Sequence, residues 1–578
     1  MRHAVTLAGA TVREAASARA SAPARPEPNV AGEQFKRKRR ATLLRAPGLR
    51  GASLLVSALI GLPMGAVLWS LTQPSGDTWV HIRDTLLTEY LQNTLWLMLQ
   101  VSAYALGVGV TTAWLTTATE FPGRRSLAWA LMLPLAAPAY IVAYVYTELL
   151  DYSGPVQTVW RDIFPASTSF PEIRSIGGAG LVLGMVLYPY VYLLARTAFA
   201  QRSMQLFDAA RTLGASPTRS FFRIALPPAR PAIAGGLALV LMETLADFGV
   251  VEYFGVPTFS TGIFRAWFAS GDKRAATKLA AVMFVFVLLL VLGERTSRGR
   301  AGAPAEGLEE GTKRLPLGRG ATVAAWLMCL LPISLGCLIP LGSLLDHAWT
   351  VGDPLWGDAF IGFTLNSLMV AGAAAVVAVA LAVFLATTER LSPDRVTRAS
   401  VTLATLGYAI PGTMLAVGLL APLTAADKWL VGWLTTHFGW RSGLLLTGTV
   451  IALVYAYVTR FLTVAYNATS SGLERIPPPL YDAALTLGAT PGTVVRRVQF
   501  PLMRGSIVTA ALVVFVDAMR ELPATLLLRP FNFETLATRV YRLAGDERLA
   551  EASSAALTIV VFGTLPVLLL ARRVDATT

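Results

Sequence analysis

After a polar opening stretch, the chain settles into long apolar runs separated by short charged or turn-rich connections. Apolar runs of about 20 residues match the length an α-helix needs to cross the hydrocarbon core of a bilayer. Twelve such spans are predicted, at 52–72, 92–117, 127–147, 177–199, 233–255 and 275–294, then at 321–343, 363–387, 400–422, 443–465, 507–528 and 552–571. No strand-like alternation of comparable extent competes with them. The fold class that follows is an all-α integral membrane protein with about twelve transmembrane helices.

Composition sharpens this. The chain of 578 residues is 54% hydrophobic and 15% charged, with a mean hydropathy of +0.56, whereas soluble domains carry roughly 25% charged residues. The net charge of +14 has a topological cause, because Arg and Lys gather between alternate spans as cytoplasmic loops require. Arg124 and Arg125, segment 200–232, linker 295–320, Arg390, Arg395, Arg398, segment 467–506, and Arg572 and Arg573 fall on that side. Lys273, Arg274 and Lys278 are exceptions on the other side. Both termini are then cytoplasmic, in a multi-pass protein. No basic stripe interleaved with aromatics occurs outside the spans, so nucleic acid is not expected as a partner; membrane lipid is.

Catalytic and metal chemistry find little support. Cys329 and Cys337 lie in one apolar run and suit buried small hydrophobes, and His3, His81, His347 and His437 form no ligand pair. No GxxxxGK[ST] phosphate loop is present, so any ATP used must be bound by another chain.

Residues 1–50 are rich in Ala, Arg, Pro and Ser and include Lys36-Arg37-Lys38-Arg39-Arg40, which reads as a disordered basic cytoplasmic tail. Segment 295–320 is rich in Gly, Arg and Glu and reads as a cytoplasmic linker between halves at 51–294 and 321–578. Six spans per half is an even number, so both halves enter the membrane in the same direction, related by a parallel pseudo-two-fold axis.

An internal repeat supports that division. FDAARTLGASPTRSFFRIALP begins at Phe207, and YDAALTLGATPGTVVRRVQFP begins at Tyr481. Asp208 aligns with Asp482, an offset of 274, which also pairs Gly214 with Gly488, Pro217 with Pro491, Pro227 with Pro501 and Arg265 with Arg539. Upstream, Asn93 with Asn366 and Pro138 with Pro411 share an offset of 273. Each repeated segment predicts a short helix ended by glycine in a left-handed cap. A second short helix follows, capped by Ser216 or Thr490 and opened by Pro217 or Pro491. Two such units form a paired docking surface on the cytoplasmic side.

This spacing resembles the E-A-A-x3-G-x9-I-x-L-P motif of binding-protein-dependent ABC importer permeases. It falls on Asp208, Ala209, Ala210, Gly214, Ile224, Leu226 and Pro227, and again on Asp482, Ala483, Ala484, Gly488, Val498, Phe500 and Pro501. Asp replaces Glu in both copies, and Val498 and Phe500 replace Ile and Leu in the second. The resemblance implies a type I importer permease fold in the bacterial inner membrane and two cytoplasmic ATPase subunits seated on these segments. ATP and Mg would lie on those subunits, with no cofactor on this chain and a soluble substrate-binding protein on the periplasmic side.

Two further stretches, ETLADFGVVEYFGVPTFSTGIFRAW from Glu243 and RELPATLLLRPFNFETLATRVY from Arg520, together with the fusion of both halves, resemble ferric-iron importer permeases. Thiamine, sulfate, polyamine and phosphonate permeases share the general architecture. The same stretches place Glu243, Asp247, Asp517, Arg520 and Glu521 within spans, where a charge costs roughly 2.5–3.5 kcal/mol on insertion scales. Glu243 aligns with Asp517, and Asp247 with Glu521. Two readings stand side by side: an acidic lining of the translocation path, or an ion-pair network between halves involving Arg520. Carboxylates are hard oxygen ligands suited to ferric iron, yet a permease must release its cargo, so no high-affinity metal site is expected. A secondary transporter would leave the paired segments unexplained, and a membrane enzyme would need a nucleophile or metal constellation that the sequence lacks.

Overall fold

The computed structural model describes residues 47–74, 76–164, 168–200, 214, 216–298, 314–440 and 443–575. Of the expected tail over 1–50, residues 1–46 lie outside the described residues, as do most of the linker (299–313) and Asp208, Ala209 and Ala210 of the first repeated segment, whereas residues 47–50 are not tail but open the first helix. Helices associated with the expected spans are α1 (Pro47–Ser70), α2 (Leu87–Ala118), α3 (Ala139–Leu150), α4 (Ile176–Ala200), α5 (Leu226–Ala246) and α6 (Lys273–Arg298), followed by α7 (Arg319–Ile333), α8 (Asp358–Leu391), α9 (Gly412–Phe438), α10 (Val450–Glu474), α11 (Phe500–Met519) and α12 (Leu549–Asp575). Among the described residues ten helical segments are long and apolar enough to span a membrane, and a bent pair over 124–163 makes an eleventh. The last helix is apolar over Leu549–Thr564.

The halves are built alike. In the first, α4 packs between α2 and α5; in the second, α10 packs between α8 and α11. Small residues permit the close approach that helix packing in lipid relies on. A Cβ at Gly236 on α5 would lie 2.8 Å from the Val191 Cα on α4. The first helix of each half crosses to the other: α1 packs on α9 and the Arg395–Ala404 helix, while the segment from α7 through Thr350 runs along α2, α3 and α4. Polar contacts hold both crossings, with the Ser57 hydroxyl donating to the Ser400 carbonyl at 2.7 Å and the Tyr146 hydroxyl to the Leu335 carbonyl at 2.6 Å. A short parallel pairing of Thr119–Glu120 with Leu315–Pro316 ties the chain preceding α7 to the first half.

The repeat seen in the sequence recurs as geometry. Asn93 donates its amide to the Pro257 carbonyl and Asn366 to the Glu534 carbonyl, both at 3.0 Å. Wide π turns occupy Phe221–Ala225 and Val495–Gln499, again offset by 274.

Four expected spans are corrected in one way. The runs 127–147 and 400–422 are not continuous helices. Each holds a 3-10 turn, then an extended residue before proline, then a new helix: Ala137 (φ −93°, ψ 128°) before Pro138, and Ile410 (φ −89°, ψ 123°) before Pro411. Proline disfavours helical backbone in the residue preceding it and forces the break; in the first half the two pieces meet at 90°. The runs 233–255 and 507–528 end at Ala246 and Met519 and restart as short helices at Gly249–Tyr253 and Pro523–Leu528. All four breaks contribute residues to one cavity.

Candidate functional site: a polar cavity between broken helices

Irregular backbone at membrane depth is tolerated only where it is buried in protein or lines a cavity. The four breaks do line one, of about 110 Å³. The first half contributes Leu135 to Tyr140, Glu243 and Asp247; the second contributes Tyr408, Asp517, Arg520 and Glu521; Tyr190 and Arg460 enter from the straight helices α4 and α10.

Helix ends organise the acids. Asp247 follows the last residue of α5, and its Oδ2 accepts from the backbone N–H groups of Val250 and Val251 at 3.1 and 3.2 Å, capping the next short helix. Glu521 does the equivalent in the second half, its Oε1 accepting from Ala524 N at 3.2 Å. These carboxylates occupy the positive ends of short helices, where bound negative charge is favoured. Arg460 donates from Nη1 to Glu521 Oε1 at 3.0 Å, with 9% and 5% of the two side chains exposed. Arg520 donates to Asp517 Oδ1 at 2.6 Å and, across the halves, to the Leu135 carbonyl at 2.9 Å. Glu243 also reaches across, accepting from the Tyr408 hydroxyl at 2.8 Å. The Tyr140 hydroxyl, buried in the wall, has no hydrogen-bond partner among the described residues.

All five charged residues singled out from the sequence therefore meet at one cavity; both ion pairs lie within the second half, and the contacts between halves are hydrogen bonds, from Arg520 to the Leu135 carbonyl and from Tyr408 to Glu243. Sequence reasoning missed Arg460, Tyr408 and Tyr140. Arg460 carried a signal, being an arginine inside an apolar run. The tyrosines carried none, since a span tyrosine is ordinary.

Of the first repeated segment Gly214 and residues 216–227 are described, and the second is described throughout. Gly214 and Gly488 have φ of +81° and +86°, in the left-handed region. Ser216 Oγ accepts from Arg219 N, and Thr490 Oγ1 from Thr493 N, each at 3.3 Å. Asp482, Ala483 and Ala484 lie on the Pro478–Thr486 helix, whose Tyr481 and Ala484 pack against Leu391 together with Val494 of the next short helix, Pro491–Val494. Leu487 beside Gly488 is 88% exposed. Ile224 lies in the first π turn and Val498 in the second, with Leu226-Pro227 and Phe500-Pro501 opening α5 and α11.

Two similarly built halves that enclose a polar cavity among helices long and apolar enough to span a membrane make up a membrane transport protein. The family model described as the binding-protein-dependent transport system inner membrane component matches residues 123–294 and 358–577, more than half of the chain. The chain belongs to that family, the permeases of ATP-binding-cassette importers. It is similar to the Fe(3+)-transport system permease protein FbpB 2 of Haemophilus influenzae, 26% identical over 494 residues covering 84% of this chain and 90% of the relative. Shorter relatives match part of it. The sulfate transport system permease protein CysT of Escherichia coli is 26% identical, covering 44% of this chain and 92% of the relative. The molybdenum transport system permease protein ModB of the same organism is 29% identical, covering 38% and 99%.

Proposed function

We propose that this chain is the permease of an importer that moves ferric iron, released from a periplasmic binding protein, into the cytoplasm. Both termini lie in the cytoplasm, and two ATPase subunits, carrying ATP and Mg, dock on the segments around Gly214 and Gly488. The observation that carries the cargo assignment is the oxygen-rich, acid-dominated cavity, in which four carboxylates face two guanidinium groups. Similarity to a ferric permease over nearly the whole fused chain supports it. Glu243 and Asp247 line the path, while Asp517, Arg520 and Glu521, with Arg460, form the ion pairs that brace it.

Rocking of one half against the other would open the cavity alternately to the two sides, with ATP binding favouring one state through its differential contacts. An oxyanion cargo, as the names of the shorter relatives would suggest, needs free cationic donors. Arg460 and Arg520 are instead each paired with a carboxylate, which leaves only the Arg460 Nε among their donors buried without a partner among the described residues.

Cells lacking this chain, with no redundant iron importer active, should lose ATP-dependent uptake of labelled ferric iron, and excess thiamine or sulfate should not compete in the parent strain. Unchanged iron uptake on deletion would remove the cargo assignment.

A further inference from the structure

The halves are related by sequence, but the cavity they enclose is electrically lopsided. Each half supplies two acids at equivalent positions, Glu243 and Asp247 against Asp517 and Glu521. Both arginines come from the second half. Arg520 aligns with Ala246, and Arg460 stands on α10, so the first half has no counterpart to either. The second-half acids are consequently matched by ion pairs of 2.6 and 3.0 Å. Among the described residues the first-half acids accept hydrogen bonds from neutral donors, the Tyr408 hydroxyl on Glu243 and the backbone N–H groups of Val250 and Val251 on Asp247, while both guanidinium groups act on Glu243 through space without a hydrogen bond. On the same side the Tyr140 hydroxyl is buried, with its residue 6% exposed, and without a hydrogen-bond partner. A buried hydroxyl lacking a partner is costly unless something else satisfies it.

We propose that the first-half wall of the cavity, Glu243 and Asp247 with the Tyr140 and Tyr408 hydroxyls, is a transit site for a hard multivalent cation. The second-half ion pairs are then fixed countercharges that give the wall its shape without binding cargo. This rests on the importer-permease reading and adds which half reads the cargo and by what chemistry. Carboxylate and phenolic oxygens select hard cations.

The test is a terbium(III) titration of the purified full-length chain, read by emission sensitised by nearby tyrosines, with sodium sulfate at matched ionic strength as the anion arm. Wild type should bind saturably and ignore sulfate. The pair Glu243→Gln with Asp247→Asn should weaken terbium binding by at least about tenfold, while the pair Arg460→Met with Glu521→Met should stay within about twofold, tenfold being the step of one decade in dissociation constant. Should the first pair fail to yield folded protein, Tyr140→Phe serves, since losing an unpartnered hydroxyl leaves the fold intact; it should weaken terbium and dim its emission. Wild-type binding in the Glu243/Asp247 or Tyr140 variants, or equal loss in both pairs, overturns the proposal. Intact terbium binding without cellular iron uptake would sink the cargo assignment and leave the cation wall standing. Iron uptake that survives loss of terbium binding would sink the wall alone.

Discussion

Arg460 and Glu521 are a buried pair whose members have few alternatives to each other, so their value shows only when one is removed. Breaking a buried ion pair on one side costs roughly 3–5 kcal/mol, because the remaining charge is left in low dielectric, whereas replacing both partners by apolar groups is often neutral. Arg460→Met alone should therefore lower the thermal melting temperature of the detergent-solubilised chain strongly, and adding Glu521→Met should recover most of it. A double variant as unstable as the single one would show that the pair does more than balance charge.

Asp394 gives a second residue-level prediction, outside the spans. It caps the Arg395–Ala404 helix, accepting from Thr397 N at 2.9 Å, and sits 3.0 Å from Arg50. The Thr397 N–H, with the Thr397 hydroxyl and Arg50 adding to it against some desolvation, holds the carboxyl below the usual carboxylate range. A lowered folded-state value means stability that is present above the unfolded value of about 4 and lost as pH falls through the folded one. Asp394→Asn should lower the melting temperature at neutral pH, where the ionised carboxylate stabilises the fold, and flatten the acid limb below about pH 4, where the parent loses the same contribution; an unchanged acid limb would contradict this.

At the scale of elements, the broken helices fix the cavity and a single glycine keeps it open for its ion pair. A Cβ on Gly412, the first residue of α9 after Pro411, would lie 2.4 Å from Glu521 Oε1 and 2.6 Å from an Arg460 nitrogen. Gly412→Ala should displace that pair and reduce uptake while leaving the peripheral helices folded, which cargo uptake measured beside circular dichroism would show. The repeated segments depend on backbone rather than space. A Cβ on Gly214 or Gly488 would meet no described atom within 4 Å, but their φ values of +81° and +86° cost an L-residue roughly 1–2 kcal/mol. Bulky β-branched replacements at both positions should reorient the segments and uncouple ATP hydrolysis from uptake. A Gly214→Val/Gly488→Val variant with normal transport per ATP would count against docking there.

Over the whole molecule, what the sequence revealed depended on how local the signal was. The apolar runs, the offset of 274 and the left-handed glycines are local, and the two-half architecture and the caps at Ser216 and Thr490 were legible from them. The helix breaks were half legible: Pro138 and Pro411 were visible as a matched pair, but long apolar runs read as continuous spans, because hydropathy does not register a change of direction. The crossing of α1 and α7 onto opposite halves was not legible, since lipid-facing and partner-facing apolar surfaces look alike in sequence. The same holds for the cavity. Its acids stood out as misplaced charge, whereas its partners Tyr408 and Tyr140 lie 165 and 103 positions from Glu243 and acquire meaning only from packing.

The central claim, that this permease couples ATP hydrolysis on partner subunits to import of ferric iron, is tested most directly in proteoliposomes containing the assembled transporter. Labelled ferric iron loaded on the binding protein is supplied on one side and ATP on the other, and iron uptake and phosphate release are followed together. The account predicts uptake that requires ATP and the binding protein and that collapses in Gly214→Val/Gly488→Val while hydrolysis continues. Uptake that proceeds without ATP, driven by an ion gradient alone, would contradict it.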